Sequence, residues 1–221
     1  MKHIIYFTVF CLVMPFTFSQ TKNEATEPSV SEEGEINLVE NGLEAWTVPS
    51  GHWRLEGEVI VADTGGKILD KPEWLYTKQR FSDFVFTCEL QLTGDDNRNT
   101  GIYYRVSTFL FRDRFEAPSG YEFDAAPNNN YWGSLGDWYK RPKLRVYADS
   151  KLIALTVDTD GWNRMTIRAR GNRLEYWING IKIMDFVDDD PKGSKEGMIG
   201  FQIHDGSVMK IEFRNVKVLP L

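Results

Sequence analysis

Two carboxylates stand two residues apart in Tyr121-Glu122-Phe123-Asp124, within the segment SGYEFDAAPNNNYWGSLGDWY at 119–139. In an extended chain alternate side chains share a face, so Glu122 and Asp124 point the same way. Paired carboxyls suit proton transfer, one holding a proton while the other accepts one. The alternative for either is a turn cap or a solvated position. GFQIH at 200–204 brings Gln202 and His204 to one face by the same alternation, and a histidine at a strand end is either a proton carrier or a hydrogen-bonded structural residue. His52, in SGHWRLEG, has no such companion and reads as a surface or turn residue.

In NTGIYYRV (99–106), Gly101 allows close approach, and Tyr103 and Arg105 share its face. The fork of donors on Arg105 suits sugar hydroxyls or a developing oxyanion, its alternative being a structural salt bridge. Aromatic residues make up 14% of the chain, and Trp132 and Trp138 lie in the carboxylate segment. Either indole is a core or rim residue, or a flat apolar surface for the C–H face of a sugar. Aromatics mixed with Asn, Asp, Glu and Arg fit a carbohydrate better than a lipid or nucleotide.

The elements that must position these groups are strands. FSDFVFTCELQL alternates throughout, with Cys88 on its apolar face and so a buried structural thiol. WNRMTIRAR, RLEYWI and IKIMDF are separated by Gly-Asn at 171–172 and Asn-Gly at 179–180, which predicts a three-strand antiparallel meander. EGMIGFQIH and VMKIEFRNVKVL, joined by DGS, predict a closing hairpin, and DTGGKILDKPEWLYTKQR a turn, a loop and a short strand. STFLFRDRFEAPSG with the 119–139 segment predicts long loops of functional kind. No stretch keeps a helical period. The expectation is an all-β sandwich or barrel.

The chain of 221 residues opens with MKHIIYFTVFCLVMPFTFSQ, in which a basic start, an apolar run and small residues predict a signal peptide at 1–19. Cys11 lacks the small residues that precede a lipidated cysteine, so a periplasmic or secreted protein is expected rather than a lipoprotein. Residues 20–35, acidic and without apolar pattern, predict a flexible tether before a domain at 36–221. The apolar run is too short to span a bilayer, so no membrane insertion is expected once the signal is removed. Net charge is −6 with no basic stripe, which argues against nucleic acid and anionic membrane as partners. With Cys88 the one cysteine beyond the signal, neither an intrachain disulfide nor a zinc-binding cluster is available. DTDGWN has its glycine misplaced for a calcium loop and reads as a turn.

An ordered set of landmarks runs from LVENGLEAWTV at 38–48 to the C-terminus. It comprises WRLEG at 53–57, FSDF at 81–84, NTGIYYR at 99–105, GYE at 120–122, GWN at 161–163, WING at 177–180, GMIGFQIH at 197–204 and FRNV at 213–216. The set resembles the DUF1080, or 3-keto-disaccharide hydrolase, domain family, which implies a concanavalin A-like antiparallel β-sandwich of jelly-roll type. Two positions depart from the family pattern: Asp124, where a glutamine is common, and Gly136, where a tyrosine is common. The resemblance implies cleavage of 3-keto-glycosides. A base takes the C2 proton made acidic by the C3 ketone, the C1 group leaves, and water adds back. Glu122 and His204 then serve in proton transfer. Arg105 and Gln202 orient the sugar or stabilise the oxyanion, and Asp124 helps position it. No cofactor is required by the sequence, although a divalent metal held by His204 and the carboxylates is a possible Lewis acid. The competing functions are a non-catalytic lectin-like module and an ordinary carboxylate-pair glycosidase. The latter is weakened because Ala126 and Pro127 stand where family-16-type glucanases carry a second glutamate.

Overall fold

Residues 25–31, 33–127 and 131–221 are described by the computed structural model; the predicted signal peptide, the start of the tether and Asn128–Asn130 lie outside the described residues. The alternating runs form strands β1 (Ile36–Asn37), β2 (Trp46–Thr47), β3 (Trp53–Glu56), β4 (Val59–Asp63), β5 (Glu73–Thr77), β6 (Phe84–Gly94), β7 (Thr100–Phe111), β8 (Phe115–Ala125), β9 (Leu135–Gly136) and β10 (Arg145–Val146). After helix α1 (Ser150–Thr156) come β11 (Asn163–Arg170), β12 (Arg173–Ile178), β13 (Ile181–Val187), β14 (Met198–Ile203) and β15 (Met209–Pro220).

Two antiparallel sheets pack face to face, as the alternation predicts. One runs β13-β12-β11-β6-β15-β4-β3, with β1 also on β15; the other runs β10-β9-β8-β7-β14-β5-β2. Phe84, Phe86, Cys88 and Leu90 of β6 meet Ile102, Phe123 and Phe201 of the second sheet, all fully buried. Phe201 stacks on Phe213 at 3.8 Å between ring centroids, and Phe123 on Tyr176 at 4.1 Å, so aromatic rings tie the sheets together. Each such ring stabilises the fold by roughly 2–3 kcal/mol through burial.

The meander forms as predicted, with Asn179 (φ 50°) and Gly180 (φ 89°) in the left-handed turn conformation that Asn-Gly tolerates. Other segments depart from expectation. β14 and β15 are not a hairpin: β14 pairs with β5 and β7, whereas β15 pairs with β4, β6 and β1 in the opposite sheet. The Asp-Gly signal marks a reversal of the chain, and both strands find their partners elsewhere. Residues 107–120 are not a long loop either. They complete a long β7–β8 hairpin turned at Arg112 and Asp113, which take φ 50° and 54° without help from glycine. α1 is two turns capped by the Asp149 carboxylate, which accepts from Lys151 N and Leu152 N, and is too short to leave a helical period. Within the predicted tether, 25–31 lie along the outer face of the larger sheet, where Glu27 accepts from Arg164 and Thr166 and the Ala25 carbonyl accepts from the Trp177 indole.

Candidate active site

The smaller sheet builds a site because its register sets side chains from separate strands in rows. One row crosses Tyr76, Gly200, Tyr103, Glu122, Gly136 and Arg145, each paired with the next across β5, β14, β7, β8, β9 and β10. One step along, Trp74 pairs with Gln202, and Gly101 with Asp124. The face of these rows turned away from the core holds a cleft of about 310 Å³. Glu122, Asp124, Tyr103, Gln202, His204 and Trp138 all line it, together with Asn99, Tyr131, Tyr139 and Arg145.

The floor is polar and deeply buried. Glu122 is 2% exposed, and its carboxyl fills the space that a side chain on Gly101 would occupy. Gly101 thus makes room for a catalytic candidate instead of for a ligand. Burial pushes the Glu122 carboxyl up to about 8; the Tyr103 hydroxyl pulls the other way and only partly offsets it. Asp124, equally enclosed, is raised well above the ordinary carboxylate range by burial and then by Glu122 beside it. Two adjacent buried acids resist ionising together, so near neutral pH the floor retains protons. Gln202 donates from Nε2 to the Tyr103 hydroxyl at 3.3 Å. Four buried polar atoms on lining residues have no hydrogen-bond partner among the described residues: Asn99 Oδ1, Asp124 Oδ1, Trp138 Nε1 and Gln202 Oε1. Such atoms carry a desolvation cost that a polar ligand relieves.

His204 follows β14 directly and is partly open. Its Nδ1 lies 2.6 Å from the Asp205 carbonyl oxygen, a contact that requires the proton on Nδ1 and leaves Nε2 as an acceptor. The wall comes from the segment after β9. Gly136 has no side chain, and the Trp138 indole occupies that space, 2.5 Å from where a Cβ would stand. Arg145 covers Trp138 at 4.8 Å from its ring, and Tyr131 meets the same ring edge-on at 5.7 Å. The wall is pinned by Arg141, which donates to Asp137 Oδ2 (2.9 Å) and Asp188 Oδ2 (2.8 Å), the latter also accepting from the Tyr121 hydroxyl.

Two sequence-predicted site residues lie elsewhere. Arg105 is fully buried away from the cleft, donating to Ser82 O (2.7 Å), Gly171 O (2.7 Å) and Asp83 Oδ1 (2.9 Å). The cause is a bulge in β7: Arg105 adopts φ 51°, the register shifts between Tyr104 and Ser107, and the alternation that placed Arg105 beside Tyr103 is broken. Trp132 packs into the sandwich core at 5% exposure instead of presenting a face to a ligand. His52 bonds Ser50 and Glu73 near a turn, as expected. Asn99, Tyr131, Tyr139 and Arg145 were not singled out by the sequence; Asn99 heads the NTGIYYR landmark, Tyr131 adjoins Trp132 and Tyr139 adjoins Trp138. For a metal, no three His, Cys, Asp or Glu side chains converge among the described residues, so His204 and the two carboxyls do not form a ligand set.

Solved structures share this architecture. A candidate glycosyl hydrolase from Parabacteroides distasonis is 23% identical with a TM-score of 0.62, over 85% of this chain and 94% of that one. The carbohydrate-binding module CBM66 from Bacillus subtilis is 15% identical with a TM-score of 0.52, over 78% and 94% of the two chains. The VIP36 exoplasmic/lumenal domain, solved with Ca2+ and Man3GlcNAc, is 14% identical with a TM-score of 0.55, over 81% and 85%. At these identities the likeness is one of fold. No curated protein matches the chain. The family comparison is decisive, since residues 34–219 match a single domain profile. The chain belongs to the 3-keto-alpha-glucoside-1,2-lyase-like domain family.

Proposed function

We propose that the protein is an exported carbohydrate-active enzyme that cleaves 3-keto-glycosides by elimination followed by hydration. The observation that carries this reading is one cleft holding both a buried carboxyl that keeps its proton, Glu122, and a histidine whose Nε2 is left as an acceptor, His204. A ketone at C3 acidifies the C2 proton. His204 Nε2 removes it, leaving an enolate across C2 and C3. As the enolate collapses to re-form the ketone, the C1–O bond breaks and the Glu122 carboxyl protonates the departing oxygen. Water then adds across the new C1=C2 bond and the two groups regain their starting proton states. Asp124, Tyr103 and Gln202 hold the hydroxyls and the developing oxyanion. Arg105, being outside the cleft, has no part in this.

The unpartnered polar atoms of the cleft also suit a binding module that holds a sugar without turning it over. A carboxylate-pair glycosidase fits less well, because Glu122 and Asp124 arise from one strand and burial raises both, whereas that chemistry needs one ionised partner. Incubation with a 3-keto-glucoside and with its unoxidised parent separates the three, with released aglycone as the readout. Release from the keto form alone is expected. Release from the parent overturns elimination in favour of direct hydrolysis, and sugar binding with release from neither leaves the binding module.

A further inference from the structure

Residues 140–145 read Lys-Arg-Pro-Lys-Leu-Arg, four basic residues in six on a chain of net charge −6. The run follows the wall residues Trp138 and Tyr139 directly. Arg141 is consumed by Asp137 and Asp188. The other three are exposed and form no ion pair among the described residues. Lys140 lies over the Phe109 ring at 4.8 Å. Arg145 is the one that enters the cleft lining. Its Nε donates to Pro142 O at 3.0 Å and its guanidinium carbon lies 4.8 Å from the Trp138 ring centroid, contacts that leave Nη1 and Nη2 unspent among the described residues. A guanidinium seated over an indole with two amino groups free can take a two-oxygen anion side-on. The two carboxyls on the floor lean toward their neutral forms and so do little to cancel it. Acids near this face are Asp205, beside His204, and Glu116, which acts on Tyr76. A cation at the rim of a floor that leans neutral favours an anionic group in the cleft.

We infer that Arg145 is a specificity residue that reads an anionic substituent, carboxylate or sulfate ester, on the saccharide in the cleft, so that the ligand class is acidic sugar. The inference rests on the cleft being a sugar site. Calorimetric titration of the full domain with methyl glucoside, methyl glucuronide and methyl glucoside 6-sulfate tests both levels. At least one acidic sugar is expected to bind about tenfold tighter than the neutral one, a preference that shrinks as salt is raised. The tighter of the two identifies the anion. Arg145→Gln should bring the acidic-to-neutral affinity ratio to about one with Tm in place, since the side chain is exposed; Arg145→Lys should restore part of the ratio. Equal affinity for neutral and acidic sugars overturns the inference and keeps the sugar site. A preference that survives Arg145→Gln overturns the assignment to Arg145. Binding of none of the three overturns the sugar site and the inference together.

Discussion

Glu122 and Glu175 are both 2% exposed, and each lies on a strand of a different sheet. Glu175, on the outer face of the larger sheet, accepts from Arg168 at 2.5 and 2.7 Å and from Lys182 at 2.7 Å. Those bonds hold its carboxyl below the usual range although burial alone would raise it. Glu122 has Tyr103 and Trp138 as company and no cation among the described residues, so burial prevails and its carboxyl rises. Equal exposure therefore goes with opposite charge states, and depth and partner together decide which: Glu122 lies deep beside neutral groups, Glu175 lies shallow beside two cations. The paired acid holds strands together; the unpaired one has bonding capacity left for chemistry.

Exchanging each glutamate for glutamine breaks or sharpens that contrast most directly. Glu122→Gln is expected to lower turnover of a 3-keto-glycoside by about a thousandfold, since the amide cannot protonate a leaving group. At neutral pH stability should not fall and should rise by on the order of a few kcal/mol, because the amide, unlike the carboxyl, needs no proton taken up on folding. Glu175→Gln should do the reverse: turnover unchanged, stability down by about 2 kcal/mol as Arg168 and Lys182 lose a shared anion. Urea unfolding beside steady-state kinetics measures both. If Glu122→Gln costs more stability than Glu175→Gln, the distinction between an idle and an employed carboxyl is wrong.

The same pair predicts pH slopes of opposite sign. Glu122 has a raised folded pKa, so its share of stability is full below the unfolded carboxylate value of 4.5 and is lost as pH climbs through about 8. The loss across that window is on the order of a few kcal/mol. Glu175 has a lowered folded pKa, so its share is present above the unfolded value and is lost on acidification below it. Unfolding free energies across pH should show Glu122→Gln flattening the alkaline limb and Glu175→Gln flattening the acid limb. Curves that move in parallel at every pH would remove the electrostatic basis of the comparison.

Of that contrast the Glu122 side was legible in the sequence, where period-two alternation is unbroken; the partners of Glu175 were not read. In β8 it set Glu122 and Asp124 on one face, and in the β14 run it set Gln202 beside His204. It failed at Arg105, where a bulge with positive φ in a non-glycine residue resets the alternation and leaves no mark in composition. It also failed where strand partners are distant in sequence, as for β14 and β15, because a turn signal says that the chain reverses and not what it pairs with. The cleft wall was the least legible part. Tyr131, Tyr139 and Arg145 come from short or irregular segments whose placement depends on a buried ion pair around Arg141 and on an absent side chain at Gly136.

Two glycines of the site divide floor from wall, and they give the smallest and most selective test. Neither has a positive φ, so alanine costs no backbone strain there and acts only through contact. At Gly101 the new methyl meets the Glu122 carboxyl, the proton donor on the floor. At Gly136 it stands 2.5 Å from the Trp138 ring, with Arg145 stacked beyond. Gly101→Ala should therefore depress kcat with KM nearly intact, by about tenfold, as the carboxyl is pushed off its position. Gly136→Ala should raise KM about fivefold and leave kcat nearly alone, because the displaced indole holds substrate and does not touch the reacting bond. Steady-state kinetics on both variants, with indole fluorescence to follow Trp138, separates the outcomes. A kcat loss for Gly136→Ala equal to that for Gly101→Ala would mean that the wall positions the chemistry as closely as the floor does, and that the site works as one unit.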